Sequence, residues 1–382
     1  MSADPTIFLS AGEASGDQHG AELARALKRR LPQARIAGLG GSEMEAAGVE
    51  LLAGLDRLAI LGFAEVVRHV PDMLALRKQV RSFFEREGVD LFVPIDYPGF
   101  NLPLARWAHG RGVPVLYYIA PQVWAWHESR AAQLSAAADE VCVVLPFEEE
   151  FLRRYGAEVR FVGHPLLDRI GSGSVPEDPA VESGVGAASG EPVLGLFPGS
   201  REQEVRRMLP AFLDAAGRLA AEVPGLRVRV ARSRDLPLSL FARCPEGSVG
   251  SPEQVAAEAT AAITKSGTIT LQLALSDVPM VVGYRVNRWT AALARRLLQI
   301  PHIALVNLVA EREVVPERIQ ERMTGTELAA AILPHFDPQS PERSEMRRGL
   351  ALVRSRLGEP GAANRVAESC IRLLSGSEAG DE

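Results

Sequence analysis

Lysine, cysteine and long apolar runs are what this sequence has least of. Of its 42 basic residues only Lys28, Lys78 and Lys265 are lysines. Acids outnumber bases and the net charge is −6, which excludes a general affinity for nucleic acid and leaves any attraction to an anionic surface to local basic patches. Cys142, Cys244 and Cys370 are the only cysteines. They are too few and too scattered for a disulfide framework and have no metal-ligand spacing, so a reducing cytosol is the expected setting. No stretch approaches the roughly 18 uninterrupted apolar residues of a spanning helix. The short acidic N-terminus does not read as a signal peptide. There is no internal repeat and no metal cluster.

What is present fits a soluble two-domain chain: 382 residues, 47% hydrophobic and 24% charged. Short apolar runs alternate with helical stretches, which predicts parallel, doubly wound sheets. One run organises the rest. Residues 91–95 read as a strand buried on both faces, and Asp96 follows at its carboxyl end. Ligands of open α/β sheets bind there. Pro98 and Gly99 predict a loop, and Asn101 a cap for the next helix. Asp96 is then either a reactive carboxylate or a second cap.

Residues 6–11 predict the first strand. The turn Gly12-Glu13-Ala14-Ser15-Gly16-Asp17 follows, with a helix to about Leu31. This turn has neither GxGxxG nor GxxxxGK(S/T), which disfavours a dinucleotide or ATP site. It reads equally as a ligand-facing opening and as a glycine turn that merely fits. Phe63, Val66, Val67, Val70, Met73 and Leu74 then fall at helical spacing, with Arg68, Arg77, Lys78 and Arg81 nearby. Pro71 should kink or split that helix. The stripe is either core or a membrane-surface element. Trp124 and Trp126, at the end of another strand, are packing anchors or a pocket wall.

Between 171 and 192 the composition turns to Gly, Ser, Pro, Ala and acid, which predicts a linker or surface loop. The pattern then restarts. Two strand-to-helix turns carry small residues and a cation: Pro198-Gly199-Ser200-Arg201 and Lys265-Ser266-Gly267-Thr268. Two helix N-termini with Arg201 and Lys265 could hold a diphosphate without metal. Residues 303–307 read as a last strand with Asn307 at its rim. Arg285, Arg288, Arg295 and Arg296 surround Trp289 in a second basic, aromatic patch, or on a solvated helix face.

These motifs, with Ile95 to Asn101, Pro121 to Trp126, Phe161 to Pro165 and Asn307-Leu308, resemble in order and spacing the series of the lipid-A-disaccharide synthase family, from about residue 6 to 374. The resemblance implies a GT-B glycosyltransferase: two doubly wound Rossmann-like domains facing across a cleft, with a C-terminal helix packing back on the first. The implied layout is an acceptor and lipid-side domain over 1–170, the linker 171–192, a UDP-sugar domain over 193–345, and returning helices over 346–382. The implied reaction is inverting and needs neither metal nor cofactor. It joins UDP-2,3-diacylglucosamine to 2,3-diacylglucosamine 1-phosphate through a β-1,6 bond and releases UDP, at the inner face of the cytoplasmic membrane. A homodimer stays open.

By the same resemblance Asp96 is the general base. Gly199, Ser200, Arg201, Lys265, Ser266, Gly267, Thr268, Gln272 and Asn307 line the UDP site. Glu13, Ser15, Asp17, Asn101, Trp124 and Trp126 line the acceptor side, and Phe63, Val66, Val67, Val70, Met73, Leu74 and Trp289 meet lipid. One departure stands out: Gln272 occupies the position where a ribose-gripping Glu is usual. Two other readings remain. One is a different GT-B enzyme, a UDP-N-acetylglucosamine transferase or UDP-sugar epimerase. The other is a non-catalytic nucleotide or lipid binder.

Overall fold

The structure, a computed structural model, describes residues 4–55, 66–126, 128–171, 191–287 and 301–376, without the side chains of 66–70, 125, 126, 128, 129, 170 and 171. The chain forms two compact units, Met1–Gly171 with Leu357–Glu382, and Ser172–Arg356.

In the first unit, strands β1 (Thr6–Ala11), β2 (Arg35–Gly40), β3 (Glu50–Gly54), β4 (Leu91–Ile95), β5 (Leu116–Tyr118), β6 (Glu140–Val143) and β7 (Val159–Phe161) form one sheet in the order β3-β2-β1-β4-β5-β6-β7. Every residue of β1 and β4 is buried, as the continuous apolar runs require of strands covered on both faces. Phe8, Phe84 and Phe92 pack edge to ring beneath the sheet. The strand order reverses between β1 and β4, where Ala11 lies opposite Ile95. Gly12 and Asp96 therefore flank the switch point, where a crevice opens in such sheets.

The second unit repeats the plan. Strands β8 (Val193–Phe197), β9 (Arg227–Ala231), β10 (Val249–Gly250), β11 (Ala261–Thr264), β12 (Met280–Tyr284) and β13 (Glu317–Ile319) lie in the order β10-β9-β8-β11-β12-β13. All pairings in both sheets are parallel. The switch point falls between β8 and β11, where Phe197 faces Thr264. It brings the two small-residue turns side by side.

The last helix, Ala362–Gly376, belongs to the first unit. Its Glu368 meets Arg30 and Arg160 at 3.4 and 3.2 Å, and its Arg372 and Ser369 close on the buried Glu140 at 2.7 Å each. The expected boundary at 345/346 falls inside a single helix, Pro341–Arg356, whose Arg347 pairs with Asp277 of the second unit. Three local expectations are corrected. Residues 305–310 are a helix, Leu305–Ala310, and not a strand. Pro98 and Gly99 open the helix Pro98–His109 rather than a loop, because proline suits a first helical turn. The helix Val66–Glu87 runs through Pro71 without splitting.

Candidate active site

Asp96 and Tyr97 both have left-handed backbone, with φ of 45° and 50°. Two consecutive non-glycine residues in that region store strain, about 1–3 kcal/mol each. The surroundings hold them there. Asn101 Nδ2 donates to the Asp96 carbonyl at 2.8 Å, and the Tyr117 hydroxyl donates to the same oxygen at 2.8 Å. Asn101 is itself fixed: its Oδ1 accepts from Ser10 Oγ at 2.7 Å, and its Nδ2 also reaches the Ser10 carbonyl at 3.1 Å. Gly12 explains its own motif, since a Cβ there would sit 2.3 Å from the Tyr97 ring.

The Asp96 side chain stays open to solvent on one side and is crowded by protein on the others. That partial desolvation, and then the charge of Glu13, push its pKa up to about 6. A carboxylate of this kind is ionised at neutral pH and still basic enough to take a proton. Glu13, whose charge reaches Asp96, and Ser15 are exposed at the start of the helix Ala14–Arg30.

Other expected acceptor-side residues turn inward. The Asp17 carboxylate is buried and accepts from the N–H groups of Gly41, Glu43 and Met44 at 2.6, 3.1 and 3.1 Å, anchoring the helix Ser42–Ala46. Asn101 is fully buried and is neither a helix cap nor a cleft residue, because its amide is spent on Ser10 and Asp96. Trp124 is half-exposed and its Nε1 donates to Glu148 at 3.1 Å. The Trp126 side chain lies outside the described residues.

Glu148 is a residue that sequence reasoning missed. It is buried, takes the Leu145 N–H at 3.1 Å as well as Trp124, and its pKa is pushed up to about 7 by burial, against those hydrogen bonds, with the nearby Asp96 charge adding to the rise. Within Leu145-Pro146-Phe147-Glu148 it reads as an ordinary helix-start glutamate, so its burial gave no signal.

In the second unit the two turns meet through another missed residue, Glu204. Its carboxylate accepts from the N–H groups of Ser200 and Arg201 at 3.1 and 3.3 Å and from Lys265 Nζ at 2.9 Å. Arg201 stands 3.9 Å away from it and remains largely exposed. Gly199 and Gly267 adopt φ of 123° and 148°. At Gly199 a Cβ would lie 2.4 Å from Glu204. The first helix N-terminus, expected to face a diphosphate, is thus already occupied by a carboxylate that also pairs with Lys265, which makes Arg201 the more exposed cation of the two. Ser266 Oγ donates to the Ile303 carbonyl at 2.5 Å. Thr268 is the cap of the helix Ile269–Leu275, and the half-exposed Gln272 side chain makes no hydrogen bond among the described residues.

Asn307 is corrected. It is fully buried, its Oδ1 accepts from Val314 and Val315 N–H at 2.8 and 2.9 Å, and its Nδ2 donates to the Val315 carbonyl and Glu317 at 2.9 Å each. Both lone pairs and both hydrogens are used, so nothing is left for a nucleotide.

Of the expected lipid patch, Leu74 is 54% exposed, whereas Met73 is half-buried against the core. Phe63 and Trp289 lie outside the described residues, as do the side chains of Val66, Val67 and Val70. No helix among the described residues is long and apolar enough to cross a membrane.

A family model described as lipid-A-disaccharide synthetase matches residues 7–355. The chain belongs to the lipid-A-disaccharide synthase family. The synthase of Myxococcus xanthus is 39% identical over 98% of this chain and 99% of its own length, and that of Geobacter sulfurreducens is 39% identical over 96% and 97%. Among solved structures, the glycotransferase of kitacinnamycin superposes with a TM-score of 0.64 at 16% identity, covering 97% of this chain and 99% of its own. UDP-GlcNAc 2-epimerase from Neisseria meningitidis, bound to UDP-GlcNAc, gives 0.63 at 11%, covering 96% and 100%. The fold is GT-B. Membership in the synthase family makes the chain a glycosyltransferase of lipid A disaccharide synthesis, working on a nucleotide-sugar donor and a lipid acceptor.

Proposed function

We propose that this chain joins UDP-2,3-diacylglucosamine to the 6-hydroxyl of 2,3-diacylglucosamine 1-phosphate by a single inverting displacement. Asp96 takes the hydroxyl proton, and the acceptor oxygen bonds to the donor's anomeric carbon from the face opposite UDP. The bond from that carbon to the diphosphate breaks, with the electron pair leaving on UDP. Arg201, on its exposed turn, and Lys265, held in place by Glu204, meet the leaving charge as it develops. The neutral Gln272 amide addresses the ribose hydroxyls. Substrates this apolar stay in the bilayer, so the enzyme works at the inner face of the cytoplasmic membrane, and the exposed Leu74 supports contact with it.

The observation that carries this reading is Asp96: a carboxylate at the switch point, on strained backbone clamped by Asn101 and Tyr117, with its pKa raised to about 6. The test is UDP release in mixed detergent micelles containing EDTA, with and without the acceptor, beside Asp96→Ala. Release that requires acceptor, survives EDTA and disappears in the variant is the expected result. Release without acceptor would mean hydrolysis or epimerase-like chemistry. UDP binding with no release at all would mean a non-catalytic binder.

A further inference from the structure

Arg77 and Arg81 stand one turn apart on the helix Val66–Glu87. The Arg77 guanidinium lies over the Phe100 ring, 5.3 Å from its centroid, and its Nη2 donates to the Gly99 carbonyl at 2.5 Å. The Arg81 guanidinium lies over Trp107 at 5.2 Å. Both residues are half-buried, each has an Nε shut away from solvent without a hydrogen bond, and neither is ion-paired among the described residues. Like charges at this spacing repel, and partly buried cations without a counter-charge are costly. Burial, and then the charge of Arg81, hold the Arg77 pKa below its ordinary value. Among the described residues the pair lacks an anion.

Its position says which anion fits. Gly99 is three residues beyond Asp96, and Tyr97, next to Asp96, feels the charge of Arg77 as well as that of Glu13. Leu74 is exposed one turn before Arg77 on the same helix. The helix therefore carries an exposed leucine and then two cations side by side, beside the loop that holds the proposed base. The lipid acceptor has the same three parts: acyl chains, a phosphate monoester and a reacting hydroxyl. Its 1-phosphate is on C1 and its 6-hydroxyl on the exocyclic C6 carried by C5, and C1 and C5 flank the ring oxygen, so cation and base must stand about a sugar's width apart. We propose that Arg77, backed by Arg81, binds the acceptor's phosphate monoester while Asp96 takes the proton of its hydroxyl. A guanidinium can grip a phosphate with two parallel hydrogen bonds, which an ammonium cannot. This assignment rests on the transferase reading given above.

The experiment compares wild type with Arg77→Ala, Arg77→Lys and Arg81→Ala, using 2,3-diacylglucosamine 1-phosphate and the same lipid without phosphate. In UDP-release assays Arg77→Ala should raise KM for the phosphorylated acceptor by about 10–100-fold, leave the donor KM unchanged, and erase the preference for phosphate by the same factor. Arg77→Lys should fall between. Equal losses on both acceptors, or a changed donor KM, would overturn the assignment and leave Arg77 a packing residue. A second arm measures binding of each lipid in micelles with no donor present. It decides the role of Arg77 even if no UDP is released, which separates this proposal from the reaction on which it rests. A third arm sediments the variants with neutral and anionic phosphatidylglycerol vesicles. Loss of anionic-vesicle binding with the acceptor preference intact would assign Arg77 to bilayer headgroups and overturn the proposal.

Discussion

Asn101 Nδ2 lies 2.8 Å from the main-chain oxygen of Asp96, the residue five positions before it. The contact joins the first turn of a helix to the strand end that precedes it. Because Asn101 also grips Ser10, it ties β4 to β1 at the switch point. The left-handed turn at Asp96 is therefore held from beneath by a buried amide, and the Tyr117 hydroxyl shares the same oxygen.

Tyr117→Phe tests this clamp with little disturbance. The ring stays, and Asn101 still satisfies the Asp96 carbonyl. Loss of one such hydrogen bond amounts to about 1 kcal/mol, so the melting temperature should fall by roughly 2–4 °C. If the clamp orients the base, kcat should drop about 3–10-fold with little change in either KM. An unchanged kcat at the lower melting temperature would show that the clamp serves folding only.

Asp96 also sets a pH dependence. A general base must be ionised, and Asp96 has its pKa raised to about 6. The acceptor kcat/KM should therefore climb through about pH 6 and level off above it. Part of that rise comes from the negative charge of Glu13. Glu13→Gln removes a like charge, favours the ionised form of Asp96, and should move the acid limb to lower pH. The position of the limb is what counts, since the plateau also reflects any part Glu13 plays in binding. A limb that stayed put or moved upward would contradict the assignment.

The fold was legible because its signals are periodic. Continuous apolar runs such as 91–95 became buried strands, and the two small-residue turns met at the second switch point as the βα pattern implied. The switch point was legible where a motif ends a strand, as Asp96 follows β4. Elsewhere residue identity misled. Asp17, Asn101 and Asn307 look like ligand groups because they are polar and near glycine or proline, yet each is buried and spends its side chain on backbone amides or carbonyls. Glu148 and Glu204 were overlooked for the converse reason. A glutamate near a helix start is common, and only three-dimensional packing reveals what it faces.

Gln272 can be changed without disturbing the free protein. The side chain is half-exposed and makes no hydrogen bond among the described residues. Replacing it therefore breaks nothing in the free protein. Gln272→Glu should turn a neutral hydrogen bond to a ribose hydroxyl into a charge-assisted one, tightening UDP by about 10-fold, or about 1–2 kcal/mol. Titration calorimetry with UDP measures it directly. Equal or weaker binding would mean that residue 272 does not face the ribose.

The acid stability of the first unit yields the last prediction. His164 is buried, its backbone N–H donates to the Leu357 carbonyl at 2.9 Å, and its ring Nδ1 accepts from Leu166 N–H at 3.2 Å. Burial, and then the charge of His19, push its pKa down to about 3. His19 in turn is lowered to about 4 by burial and Arg169. Each imidazole ordinarily titrates near 6.5. As pH falls below 6.5 the unfolded chain therefore binds protons that the folded chain refuses, and stability is lost through this window. Asp96 and Glu148 act in the opposite sense. Their folded pKa values are raised to about 6 and about 7, so the folded chain takes up protons first and gains stability as pH drops toward the ordinary carboxylate range. The wild-type profile is the difference of the two effects. His164→Gln deletes one destabilising contribution, which amounts to about 2 kcal/mol between pH 7.5 and pH 5. Urea unfolding at the two pH values should show the variant losing about that much less than wild type on acidification, whatever its stability at pH 7.5. Parallel losses would mean that His164 is protonated in the folded chain as readily as in the unfolded one.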